Sequence, residues 1–306
     1  MESPNGLAPD DEAQGGDLES ISTRCIILVH QIADEARFGS IDYDLFRELR
    51  DLVDSQIASP RAKTEIDLWL ESPGGDAHAA YKIALLLRSR AWKLRVVVPD
   101  YAKSAATLLS LAADEIYMAE AAELGPLDAQ IGYEKEGMTI SALDVARSLE
   151  DLAQQATSIS LTGGAAVLNT TRLSRAESLS VMVDFATKLM SPVISKLDPT
   201  MIHWASSLLN VSVGYAERLL AMREGGSEKV SGKLASLPQA LVERYPTHGF
   251  VISRDEARNL GLPVVDLEKY EYAEVVMQYA RDLGEQGVNL VKRVNPDQPA
   301  TASSEE

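Results

Sequence analysis

With a single cysteine in 306 residues, the chain cannot close an intramolecular disulfide, so its fold must rest on burial and hydrogen bonding. That cysteine, Cys25, sits in the apolar run Cys25-Ile-Ile-Leu-Val29. It reads as a buried strand thiol, because a reactive thiol needs a polar, electropositive setting. Basic residues are also scarce: 29 Lys and Arg stand against 46 Asp and Glu, a formal net charge of −17. Such a balance argues against nucleic acid and anionic membrane surfaces as partners, since both attract basic patches. Part of the excess lies in Met1 to Glu19 and Asn295 to Glu306, polar stretches expected to be mobile tails. No apolar run approaches the ~18 residues of a membrane span, and the start of the chain lacks a basic-then-apolar signal. A soluble, cytoplasmic protein is the expectation. Metal-ligand spacings such as His-Glu-x-x-His or paired Cys-x-x-Cys are missing, as is a Walker-type phosphate loop. No metal or cofactor is expected, and any ATP dependence would have to come from a partner.

What is present is an ordinary globular composition, 45% hydrophobic and 25% charged, with a βαβ pattern in its first half. Strands are predicted over Cys25 to His30, Ile66 to Leu70, Leu94 to Val98 and Glu115 to Met118. Helices are predicted over Asp42 to Ile57, Ala77 to Arg90 with Asp76 as N-cap, and Ser104 to Ala113. From about Ser141 the texture changes to long helical stretches: Leu143 to Gln155, Ala176 to Leu197, Met201 to Leu209 and Tyr215 to Met222. This is too long for a loop in a compact domain, so it reads as a lid or an oligomerisation arm. Gly163-Gly164 reads as an isolated turn signal within it, and Arg223-Glu-Gly-Gly226 as a loop. A last helix, Arg254 to Leu260, is closed by Gly261.

Two strand-to-helix junctions carry the chemistry. Ser72-Pro-Gly-Gly75 follows the second strand and Tyr101-Ala-Lys-Ser104 the third, and in parallel sheets ligands gather outside the carboxyl ends of the strands. Ser104 has the plain reading of a helix N-cap and the sharper one of a nucleophile at a tight turn, with the Ala105 N–H and the helix dipole favouring negative charge nearby. Gly74 and Gly75, lacking Cβ, let backbone approach a substrate and aim an N–H at an oxyanion. Lys103, next to the serine, is expected to point to solvent.

The run Glu71-Ser-Pro-Gly-Gly-Asp76, then Ala102-Lys-Ser-Ala-Ala-Thr107, Ala113-Asp-Glu-Ile-Tyr-Met118 and Leu124-Gly-Pro-Leu-Asp-Ala-Gln130, resembles the serine dehydrogenase proteinase family of Clp/crotonase-fold serine peptidases, alongside the Clp proteolytic subunit and signal peptide peptidase A. His248 to Leu262 resembles the closing segment of the Clp type. The likeness covers roughly Cys25 to Gln130 and Tyr245 to Asp266. It implies a repeated β-β-α superhelix with a largely parallel sheet, Ser104 as nucleophile, backbone at Gly74, Gly75 and Ala105 as oxyanion hole, peptide substrates and a homo-oligomer. The implied organisation is an acidic tail over 1–20, a core over 21–140, a helical insertion over 141–235, core completion with a C-terminal helix over 236–293, and a tail over 294–306.

The resemblance also exposes a departure. The Clp proteolytic subunit carries a catalytic histidine on the strand after the nucleophile helix and a catalytic acid before the closing helix. Here the first place falls near Leu127 to Ala129, where Asp128 is the ionisable residue, and the second falls on His248. Two repairs stay open. His248 can be the base with Asp128 orienting it, the same roles from exchanged chain positions, because triads are recognised by geometry rather than order. Alternatively Lys188 can serve as the base of a Ser/Lys dyad, as in signal peptide peptidase A. Of the other histidines, His30 ends a strand, His78 lies near the proposed site and His203 reads as a packing residue. Two further functions share the fold: a crotonase-type acyl-CoA hydratase or isomerase, and a catalytically silent oligomeric binding module.

Overall fold

The computed structural model describes residues 23–30, 40–56, 64–133, 138–223, 232–278 and 290–294. The two polar tails and the 223–226 loop beyond Arg223 lie outside these residues. Four successive units repeat one motif: a long strand, a short strand and a helix. The first is β1 (Thr23–His30), β2 (Ser40–Ile41) and α1 (Tyr43–Gln56). The second is β3 (Thr64–Glu71), β4 (Gly74–Gly75) and α2 (Ala77–Arg90). The third is β5 (Lys93–Val98), β6 (Tyr101–Ala102) and α3 (Ala105–Ser110). In the fourth, β7 (Glu115–Met118) and β8 (Glu123–Leu124) are followed by the hairpin β9 (Gln130–Tyr133) and β10 (Met138–Ser141) before α4 (Ala142–Thr170). This is the repeated β-β-α superhelix of the Clp/crotonase kind.

Two more long helices, α5 (Arg175–Ile194) and α6 (Pro199–Arg223), complete the insertion. The chain returns through α7 (Leu237–Glu243), β11 (Ile252–Ser253), α8 (Arg254–Asn259) and β12 (Val264–Asp266). It then runs through a helical stretch at 273–278 to β13 (Leu290–Val294). The main sheet has the order β12-β7-β5-β3-β1-β13, parallel throughout except for β13, which pairs antiparallel with β1.

The two-residue period of the strands divides two cores. Cys25, Ile27, Ile66, Leu68, Leu94 and Val96 face α1, α2 and α3 in the larger one. On the opposite face Ile26, Leu28, Trp69 and Val97 pack with Tyr270 and Val276. Asp67 and Arg95 also point to that second face and neutralise each other at 2.9 Å, with Tyr270 donating to Asp67 at 2.8 Å. A sheet covered on both sides explains why its strands read as continuous apolar runs.

Several expectations fail in the insertion. Gly163-Gly164 is no turn but lies inside α4, which continues to Thr170. Both glycines face α5 instead: a Cβ on Gly163 would displace the tip of the Met182 side chain, and one on Gly164 would make ordinary contact with the Leu179 Cα at 3.7 Å. The two helices expected over 201–209 and 215–222 are one continuous α6, with Gly214 tolerated in its interior. His203, expected to pack, is exposed beside an exposed Trp204. The last core segment holds a strand, β13, as well as a helix, because β1 leaves an edge that β13 covers.

Candidate active site

A small three-stranded sheet, β11-β8-β6, gathers the chemistry. It brings the turn before Ser104, the loop after Leu124 and the segment after His248 to one place, although the last is more than a hundred residues from the other two in the chain. The glycine turn is stitched to the same spot. Ser72 N–H donates to Tyr101 O at 3.1 Å, and Lys103 N–H donates to Ser72 O at 3.0 Å. Buried Thr107 fixes the third side: its hydroxyl donates to Ala102 O at 2.6 Å and accepts from Gly125 N–H at 2.9 Å.

Ser104 precedes α3 but does not cap it with its side chain. Its backbone has φ +50° and ψ −115°, and among the described residues it is the one non-glycine with positive φ. Such a conformation costs an L-residue about 1–3 kcal/mol and is held here by the bonds on either side of it. Gly74, at φ +107°, faces the serine so closely that a Cβ would lie 2.7 Å from Lys103 O and 2.8 Å from Ser104 Cβ. Gly75 is equally constrained from its other side, where a Cβ would lie 2.3 Å from Ile41 O on β2. The Gly74 N–H donates to the Ser72 hydroxyl at 3.2 Å. Ala105, as the first helical residue, has an N–H with no intrahelical acceptor.

A cleft of about 400 Å³ opens over these residues. Ser104, Gly74, Gly75, Ala105, Asp128 and His248 all line it. His248 Nδ1 lies 2.6 Å from Asp128 Oδ1, the histidine side chain being 22% and the aspartate 5% exposed. With Asp128 ionised, the shared proton sits on Nδ1, which leaves the lone pair on Nε2. The other Asp128 oxygen, Oδ2, accepts the Ser141 hydroxyl at 2.9 Å. Leu208, Val211 and Ser212 of α6 form the far wall, so the insertion roofs the cleft.

The remaining candidates separate clearly. Lys188 lies on α5 with its side chain 76% exposed, paired with Asp184 at 2.7 Å, and does not line the cleft. Lys103 corrects the expectation of a solvent-pointing side chain. It is 17% exposed, pairs with Glu123 at 2.5 Å and lies 3.4 Å from Gly249 O, folding over Gly125, where any Cβ would clash. It ties the His248 turn to the Ser104 turn. His78 lines the cleft and shares a 2.8 Å hydrogen bond with Tyr215 OH, which stacks on Tyr81 with ring centroids 4.1 Å apart. His30 ends β1. In the turn between β5 and β6, desolvation, then Glu71 and Glu123, push the Asp100 carboxyl above its usual range.

The sequence reading missed Ser141, Lys103 as a tie, and the α6 wall. Ser141 before a helical run is legible as an N-cap, but its reach to Asp128 is a tertiary contact.

Among the described residues no helix is long and apolar enough to cross a membrane, and no cluster of His, Cys, Asp and Glu is arranged to hold a metal ion. Two uncharacterised proteins of Methanocaldococcus jannaschii are similar. One is 28% identical over 264 residues, covering 85% of this chain and 75% of that protein; the other is 49% identical over 67 residues, covering 22% and 23%. Two solved structures also align with the chain at 16% identity. One is the 1510-N membrane-bound stomatin-specific protease in a serine-to-alanine form, with a TM-score of 0.45 and 82% of each chain covered. The other is a lysine-to-alanine form of that protease in complex with a substrate peptide, with a TM-score of 0.44 and 82% and 78% covered. Residues 22–160, the stretch that carries the glycine turn, Ser104 and Asp128, match the family described as ClpP-like SDH-type serine proteinase.

Proposed function

We propose that this protein is a serine peptidase that cleaves peptide bonds through an acyl-enzyme on Ser104, with His248 as general base and Asp128 as the carboxylate that orients it. The observation that carries the reading is the strained Ser104 turn opening into the same cleft as a 2.6 Å Asp128–His248 pair. A serine serving only as a cap would need neither the strain nor the partners. In the first step Ser104 Oγ attacks the scissile carbonyl carbon while its proton passes to His248 Nε2. The C–N bond then breaks and the proton goes from His248 to the leaving amine. Water, deprotonated by His248, attacks the ester, and the peptide acid departs as Ser104 regains its proton. Gly75 and Ala105 N–H groups stabilise the oxyanion, while Gly74, whose N–H is engaged by Ser72, supplies clearance.

Crotonase-type chemistry lacks support in the cleft. Its lining carboxylates are Asp76, which accepts from Ala79 N–H as the α2 cap, and Asp128, which holds His248. A homo-oligomer fits the insertion, where Leu179, Val183, Phe185, Leu189 and Val193 of α5 stand exposed.

A fluorophosphonate probe tests the assignment. It is expected to label the protein once, and Ser104→Ala to abolish labelling with the thermal midpoint retained. His248→Ala and Asp128→Asn are expected to slow it strongly, whereas Lys188→Ala leaves it unchanged. Undiminished labelling of Ser104→Ala overturns the reading, and loss of labelling in Lys188→Ala overturns the choice of base.

A further inference from the structure

Asp128 has two oxygens, and the triad uses one. The second is held by Ser141, which is also the N-cap of α4, accepting from Leu143 N–H at 3.0 Å and Asp144 N–H at 3.3 Å. One hydroxyl therefore does two things: its oxygen closes the first turn of a 29-residue helix, and its proton goes to the buried carboxylate. The arrangement is fixed from the backbone as well. Ser141 pairs with Gln130 across the β9–β10 hairpin, and Ala142 N–H donates to Ala129 O at 2.8 Å. Asp128 thus sits at the base of the hairpin whose other end starts the insertion.

We propose that Ser141 is a positioning residue for the peptidase reaction, acting through Asp128, and that it couples the orientation of α4 to that of His248. The inference rests on the triad reading above. A carboxylate with one oxygen unheld can rotate about its Cβ–Cγ bond, and the His248 ring can turn with it. The hydroxyl removes that freedom, so Nε2 keeps its direction into the cleft. Hydrogen bonds to charged groups are the stronger ones, so losing this one should be visible in rate. The other charged or titratable side chains lining the cleft are Asp76 and His78, and each already has a partner of its own, in Ala79 N–H and Tyr215 OH.

Capping and positioning can be separated by substitution. Alanine at an N-cap loses the cap, whereas glycine retains most of its stability and threonine retains the hydroxyl. The experiment is fluorophosphonate inactivation of the full chain across a concentration series, which yields kinact and KI separately, together with a thermal melt. In that reaction the Ser104 Oγ–P bond forms, fluoride leaves and the serine proton passes to His248. Ser141→Gly and Ser141→Ala are expected to lower kinact by about tenfold or more with KI unchanged. Both variants lose the bond to Asp128, but Ser141→Ala should lose more stability than Ser141→Gly because it also loses the cap, and Ser141→Thr should restore both quantities. If Ser141→Gly reacts at the wild-type rate while Ser141→Ala is merely less stable, the hydroxyl is a cap alone and the inference falls. Ser104→Ala and His248→Ala run alongside: if His248→Ala labels normally, the triad itself fails, a result distinct from the failure of Ser141.

Discussion

Gly74 and Ser104 constrain one another, and neither can be understood alone. The glycine holds φ +107° with Lys103 O and Ser104 Cβ where its own Cβ would be, while the serine is bent to φ +50° against it. In Gly74→Ala the added methyl meets backbone that cannot swing away, in a conformation that itself costs an L-residue about 1–3 kcal/mol. The variant is expected to melt lower and to react with a fluorophosphonate at least ~10²-fold more slowly, because the added methyl displaces the neighbouring Ala105 N–H, and losing one oxyanion donor costs on that scale. A variant that melts lower but reacts at the wild-type rate would show that the glycine serves the fold alone. The pairing of these two residues was legible in the sequence because both sit at strand ends followed by helices. The histidine was less so. Nothing local distinguishes His248 from His78 or His203; what selects it is β11 pairing with β8, a contact between segments over a hundred residues apart.

Strands and helices were legible to different degrees for a physical reason. The buried strands of the main sheet announce themselves as short apolar runs, and β1, β3, β5 and β7 fall close to where those runs lie. In the insertion the helices pack against one another and leave apolar side chains in solvent, so periodicity does not delimit them. Gly163 and Gly164 then look like punctuation, although they mark where α5 crosses α4. Gly164 offers a direct check. It is buried in mid-helix, and a Cβ would make ordinary contact with Leu179 at 3.7–3.9 Å. Gly164→Ala should therefore gain helix propensity without a clash and stabilise the protein by about 0.5–1 kcal/mol, read as a higher denaturation midpoint. A lower midpoint would mean that α5 lies closer to α4 in solution.

Taken as a molecule, the chain is asymmetric: a core covered on both sheet faces carries an insertion whose α5 exposes Leu179, Val183, Phe185, Leu189 and Val193. Isolated apolar side chains on a surface are ordinary, but a helix that presents them on successive turns needs a cover. The net charge of −17 and the scarcity of basic residues make an anionic membrane a poor cover, whereas a second copy brings an identical apolar face. Stable self-association requires burial of roughly 1,200–2,000 Å², an area that paired α4–α5 hairpins can supply. The double variant Phe185→Glu with Leu189→Glu places two carboxylates on that face, where burial without partners costs several kcal/mol. The wild type is expected to sediment as an oligomer and the variant as a smaller species that still melts cooperatively, at a midpoint no longer dependent on protein concentration, because both side chains are exposed within the protomer. A wild type that sediments as a monomer at every concentration would remove the second copy as the cover. If the oligomer dissociates and the rate of fluorophosphonate labelling falls with it, the path runs down α4 to Ser141, whose hydroxyl holds Asp128. In that case assembly and catalysis share one helix, and the insertion is part of the active site's machinery rather than a handle beside it.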